Sequence, residues 1–263
     1  MPTTPTSTGA SDAAPAAALA DLRAAVAHLH PDDPLALVAV ADDLCALGSP
    51  VAAVPFYEAA LAHDVPGALY RLGLAHHDAG DPAEAFRCFE LAGLAGDAHA
   101  AFMAGYVAHE RGDLHAARRW FEQAWDVDGA PVRLARVLRA LGDDGEAARV
   151  LAAVSGESWE AAVDHALSGA LVPSAATALL ESWAEAGEVR VASALADLYV
   201  RAGRPLDAED LLEQAVLADD AASRTSLGVL RLRAGRVADA MALWRDAAAQ
   251  GDAYAAELLS RFG

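Results

Sequence analysis

His76, His77 and Asp78, consecutive in the stretch "AHHDAGDPAEAFRCFE", are the residue types of a metal or proton-transfer site. A second pair, His109 and Glu110, occupies the equivalent place one repeat later when both are aligned on the glycine that follows. The sharper reading is therefore a metal shared by His77 and His109, with Asp78 or Glu110 as a further ligand. The plainer reading puts both pairs at the C-terminal end of a helix, where the dipole favours an imidazolium that can donate to the last free carbonyls. The plainer reading needs no ligand and is preferred. The same argument covers His28 and His30 in "HLHPDDP", which precede a proline stop. The acidic doublets Asp32/Asp33, Asp42/Asp43, Asp143/Asp144 and Asp219/Asp220 read mostly as turn residues and helix caps. Ser155, in "VSGESW", has no base near it in sequence, and there is no GxSxG, phosphate-binding loop or GxGxxG following a strand. The expectation is a chain with no catalytic set, no cofactor and no metal.

The elements that carry these residues repeat. Gly48, Gly80, Gly112, Gly142, Gly203 and Gly235 are spaced by 32, 32, 30, 61 and 32 positions, and the wide gap holds one further unit whose glycine is replaced near Leu171. Five residues after each landmark stands an alanine, from Ala53 and Ala85 to Ala240. Four positions on comes a large apolar residue: Tyr57, Phe89, Phe121, Leu151, Leu180, Leu212 and Trp244. Three further on, residues from Ala60 to Ala247 complete a stripe that lies on one face of an α-helix. A second helical stretch precedes each landmark, as in "ALYRLGLAHHDA". The turn glycine ends it in a left-handed conformation, and Asp81 or Asp113 caps the helix that follows. Each unit is a helical hairpin.

The pattern Leu69, Leu72, Gly73, Gly80, Ala85, Phe89 and Ala92 resembles the tetratricopeptide repeat. The last unit also resembles the Sel1-like repeat, through Trp244, Ala247/Ala248 and "GDA" at Gly251 to Ala253. The likeness covers residues 34–262 and implies an all-α, right-handed α-solenoid of about seven helix-turn-helix repeats. The units fall near 34–65, 66–96, 97–128, 129–155, 156–187, 188–219 and 220–251. A tail over 1–14 is expected to be disordered, a capping helix is expected at about 15–30, and a closing one at 252–263, within a single repeat domain from 15 to 263.

Composition excludes several classes of function. The net charge is −19 and all 19 basic residues are arginine, with no lysine, isoleucine or asparagine, a usage that implies a GC-rich bacterial genome. So negative a field opposes phosphate backbones and anionic lipid, which argues against nucleic acid or membrane and for a protein partner of basic or mixed charge. Cys45 and Cys88 show no metal or redox spacing. The first residues lack a basic segment, and no apolar run reaches the ~18 residues that span a bilayer, so a cytoplasmic location is expected.

In tetratricopeptide proteins the first helix of each unit lines a concave groove. The resemblance carries that role to Tyr70, His77, Phe102, Tyr106, His109, Arg136, Arg139 and Arg201, and also to His165, Asp197 and Arg233. Aromatic and arginine side chains suit protein-binding hot spots. Arg133, Arg136 and Arg139 form one helical ridge, with an internal salt bridge as the competing use. The expected function is a non-catalytic scaffold or adaptor that binds a peptide or protein segment in the groove. The alternatives are a self-associating rod and a peptide-sensing regulator.

Overall fold

The computed structural model describes residues 33–262; the tail expected over 1–14 and the capping helix expected at about 15–30 lie outside the described residues. The described chain is all-α, with fifteen α-helices and no strand. It divides into two compact units, residues up to Ala130 and from Pro131 onward.

The first unit holds three hairpins. These are α1 (Pro34–Ala46) with α2 (Pro50–Leu61), α3 (Ala68–Asp78) with α4 (Pro82–Leu94), and α5 (Ala98–Glu110) with α6 (Leu114–Gln123). The second unit holds four pairs and a closing helix. The pairs are α7 (Ala130–Ala140) and α8 (Asp144–Val154), α9 (Trp159–Leu167) and α10 (Pro173–Glu185), α11 (Ala192–Arg201) and α12 (Pro205–Leu217), and α13 (Ala221–Arg233) and α14 (Val237–Ala249). The closing helix is α15 (Ala253–Phe262).

Local chemistry explains where these helices begin. The amide of Glu84 donates to Asp81 Oδ1 at 3.2 Å and that of Ala116 to Asp113 Oδ1 at 2.9 Å, so both aspartates satisfy a free N–H of the first turn. Asp97, Ser158, Asp220 and Asp252 cap their helices in the same way. Pro50, Pro82, Pro173 and Pro205 stand at the first turn, where no N–H is needed. Most hairpin turns are three residues, such as Ala79–Asp81. The turn after α9 is five, Ser168–Val172, and its glycine is not replaced but displaced: Gly169 holds the left-handed conformation at φ +80. The unit lacks a glycine at the expected spacing because α9 stops early, at Leu167.

The stripe read from the sequence is the core. Ala53, Ala85, Ala117, Ala147, Ala176, Ala208 and Ala240 are buried, as are all seven large residues from Tyr57 to Trp244. The large residue of the second helix seats on a small residue of the first, seven positions before the turn glycine. A β-carbon on Gly73 would lie 2.6 Å from the Phe89 ring, and one on Gly105 2.8 Å from the Phe121 ring; Gly228 faces Trp244 in the same way. Where the large residue is Leu151 or Leu212, the equivalent small one is Ala135 or Ala196, both buried. Phenylalanine with glycine and leucine with alanine keep the summed volume of the pair nearly constant, as close packing requires, while Tyr57 shares its cluster with Ala41.

Polar contacts join successive hairpins. Asp42, expected at a turn, lies inside α1, where Oδ1 accepts the Tyr57 hydroxyl at 2.6 Å and Oδ2 pairs with Arg71 of α3. Burial, followed by the bond to Asp42, pushes the Tyr57 hydroxyl well above its ordinary pKa. Gln123 Nε2 donates to the Gly93 carbonyl at 2.7 Å. In the second unit Glu209 accepts from Arg231 at 3.2 Å and from Arg236, and Glu181 accepts the Tyr199 hydroxyl at 2.9 Å.

Candidate functional site

Two surfaces carry the residues singled out in the sequence. In the first unit Tyr70 and His77 stand on α3, with Phe102, Tyr106 and His109 on α5. Tyr70 is half-buried with its ring 5.9 Å from that of Phe89, and Phe102 meets Phe121 edge-on at 5.7 Å. Both rings thus help to hold their own hairpins together while keeping part of their surface exposed. Burial raises the Tyr70 hydroxyl, with Asp97 adding to the effect. His77 stacks its edge on Tyr106 at 6.2 Å. Its Nδ1 is 3.4 Å from Asp78 Oδ1 and its Nε2 is 3.7 Å from Glu110 Oε2, so it bridges two carboxylates on adjacent hairpins. His109 is exposed. Among the described residues no three His, Cys, Asp or Glu side chains converge as a metal site would require.

In the second unit Arg136 Nε donates to Asp164 Oδ2 at 3.0 Å, and Arg139 Nη2 is 3.8 Å from the same oxygen. The basic ridge of α7 is thereby tied to one carboxylate of α9. Arg139 is the less well matched of the two: its Nε and Nη2 are buried and make no hydrogen bond among the described residues. Arg201 pairs with Asp197 at 2.5 Å along α11. His165, expected on the groove, is buried instead, because its place on the short α9 turns it into the packed face; burial holds its imidazole below the ordinary range.

A pocket of about 420 Å³ opens on this unit between α11, α13 and the start of α15. Asp197 and Arg233, expected on the groove, line it together with Val200, Leu230, Thr225 and Tyr254. The sequence reading missed the last four. Thr225 and Ser226 sit among alanine and leucine in a helix with no motif, and only the contact of α11 with α13 brings them beside Ser193.

Residues 66–90, 98–123 and 189–214 match the tetratricopeptide repeat family model. No curated protein matches the chain by sequence. Among solved structures it is similar to a tetratricopeptide repeat protein from Parabacteroides merdae, at 18% identity and a TM-score of 0.62, covering 87% of this chain and 98% of that one. It is also similar to yeast Tom70, at 16% identity and a TM-score of 0.62, covering 93% of this chain and 57% of that chain. The Cut9–Hcn1 hetero-tetramer of the APC/C matches at 15% identity and a TM-score of 0.53, covering 94% and 46%. The chain spans about half the length of the last two. Helix pairs, glycine turns and the small-to-large seating define a tetratricopeptide-type solenoid fold. Three stretches of the chain match the tetratricopeptide repeat model, and the described residues carry the fold of that repeat.

Proposed function

We propose that the protein is a non-catalytic interaction scaffold that binds a peptide or protein segment along the surfaces formed by the first helices of its hairpins. The tetratricopeptide fold supports a protein–protein scaffold in general, and no helix among the described residues is long and apolar enough to cross a membrane. The observation that carries the reading is the set of half-exposed rings Tyr70, Phe102 and Tyr106 on α3 and α5: each is anchored by packing yet offers apolar area at little further entropic cost. His77 and His109 flank that patch. Arg136, with Arg139 behind it, offers a guanidinium that an incoming carboxylate could share with Asp164, and Arg201 offers a second. The net charge of −19 favours a segment of basic or mixed charge and a cytoplasmic partner over nucleic acid or membrane.

Affinity capture with cross-linking, using wild type and the Phe102→Ala/Arg136→Glu double variant, tests this. The variant is expected to lose partners that wild type retains. Recovery of the same partners by both would refute the placement.

A further inference from the structure

The pocket of the second unit narrows what can fill it. Ala196 and Leu212 are buried at its base, and Val200, Val229 and Leu230 supply half-exposed aliphatic walls. Its volume of about 420 Å³ lies within the roughly 300–1,000 Å³ of ligand-holding clefts. Most polar groups around it are already engaged. Asp252 Oδ2 accepts the Thr225 hydroxyl at 2.6 Å, and Oδ1 accepts the amides of Tyr254 and Ala255 at 2.8 and 3.1 Å. The Thr225 bond, with those amides, holds the Asp252 carboxyl below its usual range. Asp197 is paired with Arg201, and the Ser226 and Ser193 hydroxyls bond each other at 3.1 Å.

Arg233 differs from all of these. It is exposed at the end of α13, lines the pocket, and has no carboxylate partner among the described residues. A basic ligand would find both pocket carboxylates occupied and Arg233 opposing it; an acidic one would find an unopposed guanidinium beside apolar walls. We infer that this pocket seats an aliphatic side chain of a partner segment while Arg233 pairs with an acidic side chain one or two positions away on that segment. Extended chain advances at most about 3.3–3.6 Å per residue, so side chains one or two positions apart on the segment reach points some ångströms apart. The inference rests on the groove-binding reading above and assigns it a sequence preference.

The test uses the full chain, fluorescently labelled, against a bead library of N-acetylated, C-amidated pentapeptides, whose blocked ends remove terminal charge. Wild type is expected to enrich Leu, Ile or Val followed within two positions by Asp or Glu. Arg233→Glu is expected to weaken the best such peptide about tenfold and to turn the acidic preference basic. Ala222→Phe, which fills the pocket from an exposed position, is expected to abolish the aliphatic preference. Enrichment that survives both substitutions but is lost in Phe102→Ala would overturn the pocket assignment and leave the scaffold reading standing. No enrichment by wild type would remove both. Displacement of the peptide by hexanoate at equal concentration would make the pocket a small-molecule site and overturn the partner-segment assignment.

Discussion

In residues 33–130 the side chain that each second helix plants on its partner is aromatic in all three hairpins, Tyr57, Phe89 and Phe121. In residues 131–262 it is Leu151, Leu180 and Leu212 before Trp244 ends the series. The first unit accepts glycine inside two helices, at about 1 kcal/mol each relative to alanine, and gains the larger buried area of a ring. The second keeps alanine, the better helix former, beneath its leucines, with glycine only at Gly228 beneath Trp244, and links successive hairpins through Arg136–Asp164, Arg204–Glu181 and Arg231–Glu209. Exposed pairs of this kind contribute only about 0–1 kcal/mol each, so they serve register more than stability; the Arg231–Glu209 pair is better shielded from water. One repeat frame therefore tolerates two packing solutions, provided the small and large positions change together.

The largest expected effect comes from the one ring at the large stripe position of the leucine-rich unit. Trp244→Ala should destabilise by about 3–5 kcal/mol in urea unfolding followed by circular dichroism, since it opens a cavity over Gly228. It also removes the Nε1 donation to the Thr225 carbonyl at 3.2 Å. A loss under about 1 kcal/mol would show that the ring is not the unit's anchor.

Next in size are the polar links. Asp42→Ala leaves the buried Tyr57 hydroxyl and Arg71 without their carboxylate, and Glu209→Ala does the same to Arg236 while leaving Arg231 only Glu213; each should cost about 1–3 kcal/mol in the same assay. A neutral result at Glu209 with a clear loss at Asp42 would confine polar linkage to the first unit.

Acid provides a smaller effect with a definite sign. The folded His165 binds its proton less readily than the unfolded chain does, so the unfolded state takes up protons first as pH falls through about 6.5, and stability declines there. Glu209 and Asp252 are depressed, by Arg236 and Thr225 first, so their contribution is held above the ordinary carboxylate range and lost only as pH falls further. Hydrogen exchange should show α9 loosening between pH 7 and pH 5.5, and His165→Leu should remove that step; a step unchanged by the substitution would place its origin elsewhere.

The smallest expected change is a gain. Asp219 holds φ +67 after α12, at the place where Gly96 and Gly251 follow α4 and α14. Asp219→Gly should stabilise by about 0.5–1 kcal/mol, less the contribution of the pair between the exposed Asp219 and the largely buried Arg224 side chain, as read by thermal unfolding.

The hairpins and their core were legible in the sequence because a buried helical face must repeat with the helical period, and turns that need a left-handed residue favour glycine. Gly169 escaped because α9 ends early and the following turn is two residues longer. The interaction surfaces were less legible, since the side chains that flank a packing stripe obey no spacing rule. Asp42 read as a turn residue beside Asp43 and is a cross-hairpin acceptor. Arg136 and Arg139 read as a ridge with an internal salt bridge as its competing use, and only the fold identifies Asp164 as the acid. Ser193, Ser226 and Tyr254 come together from three helices that no local pattern connects.

A double-mutant cycle at Gly105 and Phe121 tests most directly the claim that paired small and large positions hold each hairpin. Gly105→Ala alone should cost about 1–3 kcal/mol by crowding the ring. Combined with Phe121→Leu, which places the alanine–leucine pair of the second unit in the first, much of that cost should vanish, giving a favourable coupling of about 1 kcal/mol or more. Strictly additive losses would contradict the account.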